Sequence, residues 1–333
     1  MALLEVKNLE TVFKTDGGEV QAVRNVSFEV AEGEALGIVG ESGSGKSQTM
    51  YSIIGLLAEN GIVKSGEITF DGKDISPSQF TNKKDYDNFM RDFRGNTMAM
   101  IFQDPMTFLN PVLKIETQLI EPMLNHTDMT REQAKEKALE LMRKVGIPSP
   151  ESRLKQYPFE FSGGMRQRIV IAIALANNPK LIIADEPTTA LDVTIQAQVL
   201  ELIDDLKKES NSAVIMITHD LGVVAKLCDR IAIMYGGKIV EIGTDKDIFY
   251  NPKHPYTEGL LACISNPEDD NEESLTPIAG SPPDLLNPPK GCPFVDRCEK
   301  AMRVCKEFPP EVTEVNKGHQ CACWLLDKRA VRK

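Results

Sequence analysis

No stretch of this 333-residue chain approaches the roughly 18 to 20 apolar residues that a membrane-spanning helix requires; the best run, Ile169 to Ala176, is far too short. Any role at a membrane is therefore expected to pass through partner proteins. The start, Met1-Ala2-Leu3-Leu4-Glu5, lacks a basic region followed by an apolar core, so a secretory signal is not expected and the cytosol is the expected compartment. Positive charge is not in excess either. A net charge of -11 argues against a broad surface for nucleic acid. There is no internal repeat, and the cysteines lack the close C-x2-C pairs of common zinc modules.

What is present is an ordinary folding composition, 26% charged and 41% apolar, enough for one large domain and a smaller appendage. The seven cysteines are unevenly spread, with five of them in the last 42 residues. An odd count crowded at one end reads as a metal site rather than a disulfide framework.

Along the first 35 residues apolar and polar positions alternate (Leu4, Val6, Leu9; Val23, Val26, Phe28, Val30) around the turn Asp16-Gly17-Gly18, which predicts a small antiparallel sheet. Ala35 to Val39 predicts a buried strand, followed by a glycine loop and a helix from about Lys46 to Leu57. Further strands are expected at Gly66–Gly72 and Thr97–Phe102. From about Ile115 to Ala176 the pattern is helical, with a capping box at Thr130-Arg131-Glu132-Gln133. Alternation then resumes: strand Leu181–Ala184, helix Thr194–Lys208, strand Ala213–Thr218, and a hairpin around Gly236-Gly237. After about Tyr250, clustered prolines and an acidic run at 268–273 read as a linker leading to the cysteine-rich tail.

Four constellations carry chemistry. Gly40-Glu41-Ser42-Gly43-Ser44-Gly45-Lys46-Ser47 fits the Walker pattern at every fixed position, with Gln48 directly after it. Its glycines let backbone N–H groups converge on phosphate oxygens at a helix N-terminus, Lys46 would neutralise the β and γ phosphates, and Ser47 would bind Mg²⁺. Asp185 and Glu186 end an apolar strand at the carboxyl edge expected of a parallel sheet, where ligands of such folds bind. Gln103 and His219 end two other strands. Phe161-Ser162-Gly163-Gly164-Met165-Arg166-Gln167-Arg168 opens a predicted helix, so Ser162, Gly163 and Gly164 would form a second anion site.

In this order the four elements resemble the ATPase subunit of ATP-binding cassette (ABC) transporters. The resemblance implies an α/β fold: a P-loop NTPase cassette with a RecA-like core, an antiparallel β subdomain and a helical subdomain at about 104–176, together spanning 1–250, with a small cysteine-rich extension at 251–333. It implies that Asp185 holds Mg²⁺, Glu186 is the general base, Gln103 senses Mg²⁺ as the Q-loop residue, and His219 contacts the γ phosphate. It also places Asp192, in Ala190-Leu191-Asp192, in the D-loop, and Phe13 at the aromatic position against adenine. ATP would lie between the Walker loop of one subunit and Ser162, Gly163 and Gly164 of another.

Gln103-Asp104-Pro105-Met106-Thr107, Gly163 to Arg168, and Asn251-Pro252-Lys253-His254-Pro255-Tyr256-Thr257 narrow the resemblance to the D-type ATPases of oligopeptide, dipeptide and nickel importers. This implies a homologous ATPase partner in a heterodimer, two membrane permeases, an extracytoplasmic binding protein, and a peripheral place at the cytoplasmic face of the membrane. A soluble ABC ATPase of DNA repair or translation is the alternative. The spacing C-x5-C-x6-C-x17-C through Cys292, Cys298, Cys305 and Cys323 resembles the family's C-terminal extension, which can hold a [4Fe-4S] cluster. Zinc and buried free thiols are the rivals, and Cys321 is a substitute fourth ligand. His126, His254 and His319 are expected to be structural or surface residues.

Overall fold

Alternating burial along the first two strands reproduces the expected β pattern in the computed structural model, which describes residues 2–188, 193–263 and 278–329. The strands are β1 (Ala2–Thr15), β2 (Gly18–Ala31), β3 (Ala35–Val39), β4 (Gly61–Phe70), β5 (Lys73–Asp74), β6 (Met98–Ile101), β7 (Leu181–Asp185), β8 (Ala213–Thr218), β9 (Arg230–Tyr235), β10 (Lys238–Thr244), β11 (Thr313–Asn316) and β12 (His319–Cys321). The chain divides into two compact units, one of residues 1–3, 30–35 and 79–217, the other of 4–29, 36–78 and 218–333.

The second of these carries the glycine loop. Its first sheet runs β2-β1-β4-β5, with β1 antiparallel to β4 and Leu4 opposite Phe70. Leu4, Val6, Leu9, Val23, Val26 and Phe28 all turn inward, which is why these strands read with period two. The second set is ordered β3-β9-β10-β12-β11. β3 is buried at all five positions and lies parallel to β9, as expected of a strand covered on both faces. β9 turns into β10 through Gly236 and Gly237, both at positive φ (54° and 79°), the conformation two-residue hairpins favour.

The tail is woven into this unit. β12 pairs with β10, Cys321 opposite Glu241, and β11 pairs with β12. The Gln21 N–H also donates to the Leu285 carbonyl at 2.8 Å. Glu241, 1% exposed, accepts from the Lys253 and His254 N–H groups and bonds His319 Nε2 at 2.8 Å. A buried carboxylate satisfied in this way fixes where the chain re-enters the sheet.

In the other unit β8, β7 and β6 are parallel, with Leu181 opposite Met98 on one side and Ala213 on the other. Helices Ile115–His126, Arg131–Lys144 and Gly163–Ala174 pack on one another. The capping box forms as the sequence predicts: Thr130 Oγ1 accepts from the Gln133 N–H at 3.3 Å, and Gln133 Oε1 accepts from the Thr130 N–H at 2.8 Å. The sequence reading did not include the helix Lys83–Met90. Its sequence, KKDYDNFM, buries only Tyr86 and Met90 and offers little apolar period; an Asn82 N-cap, accepting from the Asp85 N–H at 2.9 Å, starts it instead. Among the described residues no helix is long and apolar enough to cross a membrane.

Candidate functional site

The loop after β3 is shaped by its glycines in different ways. A Cβ on Gly40 would sit 2.1 Å from the Met234 carbonyl oxygen, and one on Gly45 (φ +99°) would sit 2.3 Å from that of Ala22. Gly43 is different: its φ is +78°, yet a Cβ there would meet nothing within 4 Å. Two glycines therefore allow close packing, while the third faces open space in a left-handed conformation. Helix Lys46–Ile54 follows with Gly45 as its N-cap and no side-chain cap bond, so a loop glycine and not a capping side chain opens this end. Lys46 is 6% exposed, and its Nζ donates to the carbonyls of Gly40 (2.7 Å) and Glu41 (3.1 Å). Ser42 and Gly43 are exposed, Ser44 is buried, and Ser47 and Gln48 are half-buried. Phe13 is half-buried on β1, its ring 2.8 Å from where a Gly61 Cβ would lie.

The tail reaches this loop directly. The Glu41 N–H donates to Tyr256 Oη at 3.0 Å. The Glu41 carboxylate receives Arg297 Nη1 at 2.6 Å and Nη2 at 3.0 Å, a bidentate pair. Tyr235, Tyr256 and Phe294 cluster beside it with ring centroids 4.5 to 5.3 Å apart, and the Arg297 guanidinium lies 5.7 Å from the Tyr235 ring. The ion pair, with help from Tyr235, raises the Arg297 pKa further above its usual value.

Cys292, Cys298, Cys305 and Cys323 line one small cavity together with His254, Phe294 and Trp324. All are free thiols. Burial pushes Cys292 up to about 12 and Cys323 up to about 11, and raises Cys298 as well. Cys321 lies on β12, 1% exposed, and does not line the cavity. The expected four-thiolate site, a [4Fe-4S] cluster with zinc as its rival, is not matched by a metal-binding group: among the described residues no three His, Cys, Asp or Glu side chains come together as a group that could hold a metal ion.

His254 is a buried member of this cavity, 1% exposed, rather than a surface residue. Its Nδ1 accepts from the Tyr256 N–H at 3.1 Å, which puts the ring proton on Nε2. Nε2 is buried and makes no hydrogen bond. Burial drives the His254 pKa down to about 3, so the ring is neutral.

In the other unit, Asp185 ends β7 at 1% exposure. Glu186 follows at φ +46°, a conformation a glutamate holds only under constraint. Its N–H donates to the Ile217 carbonyl at 2.9 Å. Its Oε2 accepts from Gln103 Nε2 at 2.8 Å, so two sequence-predicted site residues 83 positions apart are joined. Ser162 caps helix Gly163–Ala174, its Oγ accepting from the Met165 N–H at 3.3 Å. Ser162 and Gly163 are exposed, and a Cβ on Gly163 would meet nothing within 4 Å.

The sequence-predicted residues thus fall in two groups. Phe13, the 40–48 loop, His219 and the cysteines belong to one unit; Gln103, Ser162, Gly163, Gly164, Asp185 and Glu186 belong to the other. His219 is exposed directly after β8. Asp192 lies outside the described residues. Sequence reasoning missed Arg297, Tyr256 and His254 as site neighbours. The one available signal was Glu41, an acid inside a loop built to receive an anion.

Comparison with known proteins agrees with this geometry. Residues 23–189 match the family model "ABC transporter", and residues 240–305 match "Oligopeptide/dipeptide transporter, C-terminal region". The oligopeptide transport ATP-binding protein OppD of Bacillus subtilis is 55% identical over 97% of this chain and 89% of its own length. The dipeptide transport ATP-binding protein DppD of the same organism is 53% identical over 98% of this chain and 96% of its own. Among solved structures, a dimeric ATP-binding cassette in a post-hydrolysis state bound to ADP and phosphate superposes with a TM-score of 0.62 at 27% identity, covering 72% of this chain and 98% of that one.

Proposed function

The chain belongs to the ABC transporter family, in the branch of oligopeptide and dipeptide transport ATP-binding proteins, and from that membership we propose that it is the ATP-hydrolysing subunit of an importer for di- and oligopeptides. The observation that carries the reading is the phosphate loop: a helix start opened by Gly45, an open face at Gly43, and Lys46 lodged on two loop carbonyls from which it can turn to phosphate. The peptide cargo is preferred to nickel because both relatives bear peptide names and the 240–305 match is to a peptide-transporter region. Residues 1–250 are the nucleotide-binding domain in this reading and 251–333 the extension.

Lys46 and the loop N–H groups bind the β and γ phosphates, and Phe13 packs against adenine. Ser47 and Asp185 offer hard oxygen donors suited to Mg²⁺, which when bound neutralises phosphate charge; Gln103 senses it. Glu186 is the general base for the attacking water. Gln103 Nε2 donates to its carboxylate. His219 contacts the γ phosphate. Ser162, Gly163 and Gly164 cradle the nucleotide of a partner ATPase subunit. Closure of this dimer around ATP pulls on two membrane permeases through the helical block near Gln103 and drives alternating access, with an extracytoplasmic binding protein delivering the peptide. The chain itself is peripheral to the membrane. Glu186→Gln tests the core of this reading: it should bind ATP, accumulate the closed dimer and turn over very little, and near-normal turnover would reject the assignment.

For the tail, the family resemblance of the cysteine spacing leads to an iron–sulfur cluster, with a zinc ion as the rival. Cys292, Cys298, Cys305 and Cys323 line one small cavity, and thiolates are the ligands such a cluster takes. His254, whose Nε2 is buried without a hydrogen bond, lines the same cavity. A bound [4Fe-4S] cluster would cross-link Cys292, Cys298, Cys305 and Cys323, with Cys321 left to the sheet. Loading releases the thiol protons, and burial of Cys292 and Cys323, which raises both thiols, opposes that release. Anaerobic purification should give a brown protein with about four irons per chain; a colourless, iron-free protein containing zinc would reject the cluster.

A further inference from the structure

Glu41 places a carboxylate inside a loop whose partner, on the ATPase reading above, carries several negative charges. That carboxylate does not stand alone. Arg297 meets it bidentately, and the remaining guanidinium N–H groups donate to Tyr235 Oη (3.1 Å), the Ala279 carbonyl (2.9 Å) and the Ile278 carbonyl (2.9 Å). All five guanidinium donors are thereby committed. Gly280, at φ +85°, lets the chain pass closely enough that a Cβ there would lie 3.3 Å from Arg297 Cγ. With a side chain only 6% exposed, Arg297 is a fixed counter-charge and not a mobile phosphate ligand. The loop is gripped at two further points on the same residue: the Glu41 N–H by Tyr256 Oη, and the Glu41 carbonyl by Lys46 Nζ.

We propose that Arg297, with Tyr256, is a positioning residue for ATP binding: the C-terminal region cancels the charge of Glu41 and holds the phosphate loop in its receptive shape, so the ATP site is incomplete without the tail. The sequence distance makes this specific. Glu41 and Arg297 are 256 residues apart, and both Tyr256 and Arg297 fall within the matched peptide-transporter region at 240–305. When ATP enters, Lys46 leaves the two loop carbonyls for phosphate, and Tyr256 and Arg297 keep Glu41 in place. Without Arg297 the Glu41 carboxylate faces the nucleotide uncompensated, and low-dielectric surroundings strengthen that repulsion.

The proposal rests on the ATPase reading and is tested on the full-length chain by calorimetric titration with ATP and Mg²⁺ at low and high salt, alongside thermal unfolding. Arg297→Met should weaken ATP binding about tenfold, more for ATP than for ADP, with the difference shrinking as salt rises. Arg297→Lys, which keeps the charge but not the bidentate fork, should fall between it and wild type. The decisive variant is Arg297→Met with Glu41→Gln, which should return to within about threefold of wild type because the offending charge is gone. A double variant no better than Arg297→Met would make Arg297 merely structural and overturn the proposal, as would wild-type affinity in Arg297→Met. Glu41→Gln alone carries the test if the Arg297 variants do not fold. It keeps an oxygen for Arg297, removes one negative charge, and should bind ATP at least as tightly as wild type; weaker binding overturns the proposal. Wild-type protein that fails to bind ATP would instead reject the ATPase reading itself.

Discussion

Substituting alanine in turn for Gly40, Gly43 and Gly45 separates what the fold needs from what the ligand needs in one loop. At Gly40 the added methyl would be 2.1 Å from the Met234 carbonyl oxygen and 2.9 Å from Ser44 Oγ. A backbone carbonyl cannot swing aside as a side-chain end can, so the cost should sit near the top of the overpacking range, about 3 kcal/mol. At Gly45 a contact of 2.3 Å to the Ala22 carbonyl adds to a φ of +99°, and left-handed strain with overpacking together give about 2–5 kcal/mol. At Gly43 only the conformational term applies, because nothing lies within 4 Å of the added atom. That is about 1–2 kcal/mol, partly offset by a stiffer unfolded chain. Urea unfolding should therefore rank Gly43→Ala as much the mildest of the three. ATP titration should reverse its standing: its methyl projects into the open face assigned to phosphate, and binding should drop at least about tenfold while the fold survives. Equal destabilisation of all three would refute the packing argument. Wild-type ATP affinity in Gly43→Ala would refute the placement of phosphate.

Two further outcomes are expected. His254 has a folded pKa of about 3 against an ordinary 6.5, so between these values the unfolded chain binds more protons and stability rises with pH. It is complete above about pH 6.5 and should fall by about 2 kcal/mol on going down to pH 5; His254→Asn, which can keep an acceptor for the Tyr256 N–H, should flatten that slope, and an unchanged slope refutes the assignment. Glu186→Gln should lower ATP turnover by at least about 100-fold in the assembled transporter with ATP affinity retained, measured by phosphate release and nucleotide binding on the same preparation.

The elements that were legible beforehand are those whose signal is local. β3 and β8 were read with the boundaries they have, because an unbroken apolar run ending at a glycine loop or a polar switch has one simple interpretation. The capping box at Thr130 was legible for the same reason, its two bonds lying within four residues. Helix Lys83–Met90 was not, since its amphipathic face is two residues wide. Cys321 illustrates the limit: two positions from Cys323, it looked interchangeable with it, yet strand pairing opposite Glu241 takes it into the sheet and away from the cavity that Cys323 lines.

Residue types at fixed short spacing determined the nucleotide chemistry. A phosphate loop, an acid pair at a strand end and a serine-glycine helix start are each closed within one turn or one strand, so backbone geometry alone makes them readable. Which distant groups meet was decided only by tertiary structure. The Gln103–Glu186 bond spans 83 positions and the Glu41–Arg297 pair spans 256. No local periodicity encodes either contact, because each depends on how strands order within a sheet and where the tail re-enters it. The tail that composition presented as a cysteine-rich appendage is, through Arg297 and Tyr256, part of the wall of the phosphate loop.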